Sequence, residues 1–255
     1  MSPLGFMIIG VQKGGTTALS HFLAQHPQVA MAKGKEVHLF DAPDYHIGLS
    51  TAEIQHHYQS YFPQDCTAQL CAEATPIYIY WPEIIPELYR YNPALKLIVM
   101  LRDPIERALS QYRMERARGF EPWPLSLALL IEPLRLLARN KRHLDSASRH
   151  HSYGDRGHYV RQLIALRRVF PDEQILIIDN SELIDAHDRT MERMTEFLDL
   201  PTFAVAQEVV FASAEQARPE RTARALLWLR FKIANRGLKK LLRDMGYSPD
   251  WPWLR

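Results

Sequence analysis

The chain has 255 residues, enough to bury a hydrophobic core without disulfides or a metal, and 47% of them are hydrophobic, too many for a disordered chain. Its 31 Lys and Arg residues against 29 Asp and Glu residues leave a net charge of +2, so it is not a polycation that neutralises nucleic acid. The composition indicates a folded, enzyme-sized protein in which any anion is bound by a local group of residues.

The cysteines and the apolar segments indicate the cellular compartment of the protein. Cys66 and Cys71 are too few for a disulfide framework, and they lack the second ligand pair that a structural zinc site needs. The N-terminal residues carry no basic cluster of the signal-peptide kind, and about 18 uninterrupted apolar residues, as in a membrane span, occur nowhere. We therefore expect a soluble, cytoplasmic protein with reduced thiols.

The first predicted elements are a strand, a glycine turn and a helix. Residues 6–11 form a continuous apolar run, as in a buried strand, and residues 12–17, QKGGTT, follow as a turn. Apolar residues then recur at helical spacing over residues 18–23, and Pro27 ends the helix.

The same pattern returns twice farther along the chain. Residues 95–101 predict a second strand, which is followed by Pro104 in the first turn of a helix. Residues 174–178 predict a third strand, between helices over residues 159–170 and 188–198. Apolar strands that alternate with amphipathic helices predict an α/β fold with a central, mostly parallel sheet flanked by helices.

The chain shows no internal repeat and no linker, so we predict one domain over residues 1–255 with its core in residues 6–200. Irregular insertions over residues 41–61 and 119–157 are expected to shape substrate access. Residues 222–245 predict a basic amphipathic helix. This helix can pack on the sheet with its basic face in solvent, or it can bind an anionic membrane surface or an acidic polymer.

The first glycine turn has the composition of an anion site. Gly14 and Gly15 allow close backbone approach, and the helix that follows presents its first N–H groups and the positive end of its dipole. Lys13 adds a positive charge, while the Thr16 and Thr17 hydroxyls can bond to phosphate or sulfate oxygens. The turn differs from the nucleotide-triphosphatase motif, because there the lysine follows the last glycine.

Two segments are similar to one protein family. Residues 8–19, IIGVQKGGTTAL, resemble the phosphosulfate-binding loop of sulfotransferases that use 3′-phosphoadenosine 5′-phosphosulfate (PAPS). Residues 101–112, LRDPIERALSQY, resemble the 3′-phosphate site of the same family. The similarity is closest to the heparan-sulfate-type carbohydrate sulfotransferases, in a short bacterial-like form. It implies a P-loop-like three-layer fold and PAPS as the donor, bound at its 5′ end by the glycine turn.

The resemblance also implies roles for single residues. Arg102 and Ser110 match the residues that hold the 3′-phosphate. Residues 35–41, KEVHLFD, resemble the segment of the catalytic base, with Glu36 at the carboxylate position and His38 at a second implicated position. A sugar hydroxyl is a poor nucleophile at neutral pH, so a carboxylate within hydrogen-bonding reach must take its proton. Without the resemblance, the sequence indicates a solvated loop acid at Glu36 and a half-buried histidine at His38.

Other positions agree less closely with the family. The family carries a lysine where this chain has Ala74, so Lys13, Lys35 or an arginine of the second insertion has to supply that charge. Tyr159 matches a residue near the cofactor or the acceptor, and a core aromatic is the alternative. The late Lys-Gly-Arg loop of the family is not reproduced, and Arg218 is the nearest candidate for its cofactor contact.

The sequence therefore predicts sulfuryl transfer from PAPS to a hydroxyl of a carbohydrate or glycoconjugate, without a metal. Glu36 is the predicted base, Lys13 stabilises the leaving phosphate, and His38 is the third catalytic candidate. Basic residues of the insertion, among them Arg135 and His150, fit an acidic glycan or plain solvated charge equally well. Two alternatives stay open: an ATP-dependent small-molecule kinase, and a non-catalytic nucleotide- or membrane-binding module.

Overall fold

The computed structural model describes residues 2–63, 68–137, 143–208 and 221–254. These residues form two compact units, the first from residues 1–101 and 165–212 and the second from residues 102–164 and 213–255, as far as they are described. The grouping does not test the single-domain prediction, which stays a prediction. Among the described residues, every helix is too short or too polar to cross a bilayer.

The first unit is built on a five-stranded, all-parallel sheet. Its strands are β1 (Phe6–Gly10), β2 (Val29–Met31), β3 (Leu70–Glu73), β4 (Lys96–Leu101) and β5 (Ile175–Asp179). The strand order is β2-β3-β1-β4-β5, so β1 lies in the centre with β3 and β4 as its neighbours. All five residues of β1 are buried, which agrees with its uninterrupted apolar sequence. The predicted α/β class with a parallel sheet is confirmed.

Helices follow the strands of the first unit along the chain. They are α1 (Thr16–Leu23), α2 (Thr51–Gln59), α3 (Ile85–Tyr91), α8 (Asn180–Asp185) and α9 (His187–Phe197). A core cluster joins sheet residues such as Ile8 and Ile98 to Leu19 and Phe22 of α1 and Met194 of α9. Because α1 buries this face directly after the glycine turn, the position of the turn is fixed by packing on both sides.

The second unit is helical where it is described. It contains α4 (Pro104–Ala117), α5 (Leu125–Arg135), α6 (Ala147–His150), α10 (Arg221–Ala234) and α11 (Leu238–Asp244), while α7 (Tyr159–Arg167) spans the boundary between the units in sequence. Its core cluster includes Leu109, Leu125, Leu129, Leu227 and Phe231.

The structure differs from the predictions at three places. The strands β2 and β3 were not predicted, and the two insertions contain the helices α2 and α5 rather than irregular chain. The single helix predicted over residues 222–245 is wrong, because the chain breaks into α10 and α11 at Gly237. Gly237 has a φ of 87°, a left-handed conformation that ends an α-helix and that glycine adopts at little cost.

Candidate active site

The glycine turn lies at the carboxyl end of the central strand β1, where parallel α/β sheets bind their ligands. A Cβ atom on Gly14 would lie 2.6 Å from the Met100 carbonyl oxygen and 2.8 Å from the Val11 carbonyl oxygen, so only glycine fits. Gly15 has a φ of 102° and precedes the first turn of α1. The turn therefore needs both glycines, each for a different steric reason.

The turn presents a helix N-terminus without a side-chain cap. Gly15 occupies the N-cap position and has no side chain to bond the first N–H groups of α1. The Val11 N–H donates to the Met100 carbonyl at 2.8 Å, which ties the turn to the end of β4. Thr16 is buried, Thr17 is exposed and Lys13 is partly buried with a left-handed φ of 69°. A fixed, positive helix end of this kind suits an oxyanion.

The predicted base lies in the same unit as the turn and is linked to it by a lysine. Lys35 Nζ lies 2.7 Å from Glu36 Oε1 and donates to Thr16 Oγ1 at 3.4 Å. The Glu36 side chain is 33% exposed, so the carboxylate is open on one side and bonded on the other. The structure therefore brings the base segment and the first turn of α1 together through a single ammonium group.

His38 bonds two carboxylates, one at each ring nitrogen. Its Nε2 lies 3.2 Å from Glu36 Oε2, and its Nδ1 lies 3.0 Å from Asp41 Oδ1. Asp41 is fully buried, three residues farther along the chain. A buried carboxylate behind an imidazole fixes the orientation of the ring and favours its protonated form.

These contacts set the charges of the site. Burial alone would raise the pKa of Glu36, but the His38 hydrogen bond and the Lys35 charge outweigh it and lower the pKa to about 2. Burial alone would lower the pKa of His38, but the hydrogen bonds to Asp41 and Glu36 raise it to about 9. Near neutral pH the site therefore holds a carboxylate between two cations.

A buried group on β3 supports the base segment, and sequence reasoning missed it. Glu73 is fully buried and accepts hydrogen bonds from the Tyr58 hydroxyl, from Thr75 Oγ1 at 2.6 Å and from the Val37 N–H at 3.2 Å. Thr75 Oγ1 also accepts from the Val37 N–H at 3.1 Å. Val37 lies between Glu36 and His38, so the end of β3 holds the backbone of both.

The predicted 3′-phosphate residues belong to the second unit. Arg102 directly follows β4, and the Tyr159 hydroxyl donates to the Arg102 carbonyl oxygen at 2.8 Å. Asp103 caps α4 by accepting from the Ile105 N–H at 2.8 Å, and Ser110 lies partly buried on that helix. Tyr159 is completely buried, so within this unit it supports the backbone of Arg102.

Some predicted contacts fall elsewhere. Arg218 lies outside the described residues. Arg135 bonds the buried Glu121 carboxylate at 2.5 Å and His150 bonds Glu115 at 2.9 Å, so these two basic groups of the insertion are held by acids of their own unit. In the ranges that the structure covers, no group of three or more His, Cys, Asp and Glu side chains is arranged to hold a metal ion.

A model of the sulfotransferase domain matches residues 4–223 of the chain. The chain belongs to the sulfotransferase domain family. The heparan sulfate glucosamine 3-O-sulfotransferase 3B1 of Mus musculus is 32% identical over 194 residues, covering 76% of this chain and 45% of the relative. The membrane-associated sulfotransferase kil1 of Dictyostelium discoideum is 40% identical over 107 residues, covering 42% of this chain and 22% of the relative. The chain thus spans less than half the length of these two relatives.

The fold of this sulfotransferase-domain protein also matches a solved structure. A sulfotransferase from Alicyclobacillus acidocaldarius superposes with a TM-score of 0.78 at 23% identity, over 100% of both chains. This likeness confirms the predicted α/β architecture, and the family match confirms the resemblance drawn from the two motifs. The roles predicted for single residues stay predictions.

Proposed function

We propose that this sulfotransferase-domain protein transfers the sulfuryl group of PAPS to a hydroxyl group, releasing 3′-phosphoadenosine 5′-phosphate (PAP). The observation that carries the proposal is the link between the glycine turn and the Glu36 carboxylate through Lys35. An anion site and a general base on one compact unit are what an in-line transfer between two oxygen atoms requires. The family match supports the reaction class.

The turn supplies the groups for the 5′ end of the donor. The N–H groups after Gly14 and Gly15, the Lys13 ammonium and the hydroxyls of Thr16 and Thr17 would bind the 5′-phosphosulfate. As the S–O bond breaks, the 5′-phosphate gains negative charge, so these donors bind the transition state more tightly than the ground state. The steric need for glycine at position 14 comes from the carbonyl oxygens of Met100 and Val11, which hold the turn close to the end of β4.

Two further residues are proposed to bind the 3′-phosphate. Arg102 would form charge-assisted hydrogen bonds to it, and Ser110 would add a hydroxyl donor. The Tyr159 hydroxyl would hold Arg102 in place by donating to the Arg102 carbonyl oxygen, rather than contact the nucleotide itself.

Glu36 would act as the general base at the other end of the transfer. It accepts the proton of the acceptor hydroxyl while the new O–S bond forms. His38, which the Asp41 carboxylate holds in its charged form, would orient Glu36 through its Nε2. The reaction needs no metal, because cationic side chains and N–H groups can neutralise the developing charge.

The acceptor is proposed to be a saccharide or glycolipid hydroxyl. The support is the identity to the heparan sulfate glucosamine 3-O-sulfotransferases, which reaches 33% for isoform 6 of Homo sapiens over 76% of this chain. Because Arg135 and His150 already bond Glu121 and Glu115 of their own unit, we do not assign glycan recognition to them.

Incubation with PAPS radiolabelled in the sulfuryl group tests the proposal. A panel of glycosaminoglycans, glycolipids and small alcohols serves as acceptors, and Glu36→Gln is the matched control. Label in at least one acceptor with the wild-type protein, and little with the variant, is the expected result. Transfer of the γ-phosphate of magnesium ATP in place of sulfate would instead support the kinase alternative.

We also propose a peripheral contact between the second unit and an anionic lipid surface. Along α10 the buried residues are Ala223, Leu227 and Phe231, and the apolar residues Leu226, Leu229 and Ile233 are exposed. Residues 221–245 contain eight Lys and Arg against one Asp, and two of these arginines, Arg224 and Arg230, pair with Glu106 and Glu132 of the same unit. An exposed apolar row among basic residues suits insertion at the headgroup level. The name of the Dictyostelium relative, a membrane-associated sulfotransferase, is consistent with such a contact.

Vesicle sedimentation tests this contact. The protein should pellet with phosphatidylglycerol-containing vesicles and stay in solution with pure phosphatidylcholine, because the basic residues need anionic headgroups. The double variant Leu229→Glu and Ile233→Glu should abolish pelleting while leaving sulfate transfer to a soluble acceptor intact. Equal binding to both vesicle types, or none to either, would contradict the proposal.

A further inference from the structure

The Lys35 ammonium occupies the span between the proposed donor site and the proposed base. Its two bonds reach Glu36 Oε1 on one side and Thr16 Oγ1, on the first residue of α1, on the other. The side chain is only 18% exposed, so it is held within the site rather than extended into solvent. A group that moves from an anion on the turn to an oxygen activated by Glu36 must pass beside this ammonium.

The backbone places Lys35 firmly. Its N–H donates to the Ala32 carbonyl at 3.0 Å, and its carbonyl accepts from the Ala74 N–H at 3.1 Å, next to β3. Lys35 and His38 both have left-handed φ values, 69° and 57°, which are strained for residues with a Cβ. Such strain persists only where the surrounding contacts over-determine the conformation, and it concentrates at functional sites.

We propose that Lys35 is a catalytic residue that exchanges partners when the donor binds. Its ammonium neutralises Glu36 in the free protein and moves to the sulfuryl oxygens of bound PAPS. Glu36 then keeps one cationic neighbour, His38, in place of two. The inference rests on the proposed sulfuryl transfer and adds to it a coupling: the base becomes effective only when a sulfuryl group is present.

The electrostatics of the site support the exchange. The groups that face Glu36 are Lys35 and His38, with Asp41 behind His38 and Glu73 behind the Val37 amide. Lys35 and His38 together keep the pKa of Glu36 near 2, where a carboxylate is a weak base. When the Lys35 ammonium moves to a sulfuryl oxygen, the pKa of Glu36 rises toward its ordinary value, because one of the two positive charges that stabilise the carboxylate is gone.

The step conserves charge and electrons. The acceptor oxygen forms a bond to sulfur with its own electron pair, and its proton passes to the Glu36 carboxylate. The bond from sulfur to the 5′-phosphate oxygen breaks, and its electron pair stays on that phosphate, which the turn and Lys13 would bind. Lys35 remains protonated throughout and neutralises the sulfuryl oxygens as they transfer, which lowers the barrier electrostatically.

The direct test follows the titration of Glu36 in the wild-type protein. Carbon-13 NMR of labelled glutamate carboxyls reports the pKa, and Glu36→Gln assigns the signal. The pKa should rise by about one unit or more with PAPS but not with PAP, since PAP has no sulfuryl group to draw Lys35 away. An equal response to both nucleotides would overturn the exchange.

The variants Lys35→Met and Lys35→Arg test the same idea through turnover. Lys35→Met should reduce kcat by about 10²-fold while the Kd for PAP changes by less than about 2-fold. In this variant the pKa of Glu36 should already be raised in the free protein and should not respond to PAPS. Lys35→Arg should restore part of kcat, because it restores the charge.

Lys33→Met is the matched control, since Lys33 lies two residues away and is exposed. It should match the wild type in kcat, in the Kd values for PAPS and for PAP, and in the pKa of Glu36 with and without PAPS. If the wild type neither binds PAPS nor transfers sulfate, the proposed function fails. If it transfers sulfate but Lys35→Met matches Lys33→Met in kcat and in titration, only the role of Lys35 fails.

Discussion

Replacement of Gly14 by alanine should distort the glycine turn, and the distances around Gly14 show how severe the collision would be. The new Cβ would lie 2.6 Å and 2.8 Å from the carbonyl oxygens of Met100 and Val11, both closer than Cβ contacts occur in proteins. Both oxygens belong to the backbone, so no side-chain rotation can relieve the contact. The turn itself must shift, and overpacking of this kind costs about 1–3 kcal/mol of the free energy of unfolding.

The same shift should weaken donor binding. If the displaced turn loses one charge-assisted hydrogen bond to the 5′-phosphate, worth about 1.5–3 kcal/mol, the Kd for PAP rises at least about tenfold. In a chain of this size each kcal/mol lost lowers Tm by roughly 2–4 °C. Differential scanning calorimetry and isothermal titration with PAP measure the two effects separately.

Gly119→Ala is the control for a glycine replacement that causes no collision. Gly119 has a φ of 81° and open space around its missing Cβ, so alanine there carries a backbone cost of about 1–2 kcal/mol and no collision. It should lower Tm without altering the Kd for PAP. A Gly14→Ala protein with the wild-type Tm and the wild-type Kd would refute the reasoning about the turn.

Three further outcomes follow from the site. Glu36→Gln should lower kcat about 10²-fold with the Kd for PAP nearly unchanged, measured by sulfate transfer and calorimetry; a near wild-type kcat would remove Glu36 as the base. Arg102→Ala should raise the Kd for PAP about tenfold and leave the affinity for AMP, which lacks the 3′-phosphate, unaltered; equal losses for both ligands would contradict its assignment. Because the pKa of His38 is raised to about 9, its stabilising contribution is full below pH 6.5 and is lost as the pH rises through 9. Denaturant unfolding of His38→Gln should therefore show a smaller loss of stability over that range than the wild type, and an identical loss would show that His38 is not the titrating group.

The sequence is sufficient to predict the elements whose signals are local. The strand β1, the glycine turn and α1 follow one another within 18 residues, from Phe6 to Leu23, and each has its own pattern of apolar residues or glycines. The strands β2 and β3 have only three and four residues, too short for a periodic pattern. Their place in the sheet depends on the parallel pairing of β3 with β1 and of β2 with β3, long-range contacts that local sequence does not encode.

The candidate site likewise contains residues with a local sequence signal and residues that only long-range contacts bring to the site. Glu36 and His38 could be predicted because they lie in a short motif, whereas Glu73 supports them from a strand 36 residues away in the chain. Asp41 follows His38 by three residues, and its complete burial, rather than its position in the sequence, identifies it as the partner of the imidazole. The break at Gly237 did have a local signal, a glycine directly after Arg236, and it could have been predicted.

The central claim is that this fold binds a nucleotide with phosphates at both its 3′ and 5′ positions as the carrier of a sulfuryl group. Isothermal titration of the wild-type protein with PAP and with AMP, under the same conditions, tests it most directly. PAP should bind at least about 10²-fold more tightly than AMP, because only PAP carries both phosphates. Equal affinities, or no measurable binding of PAP by correctly folded protein, would contradict it.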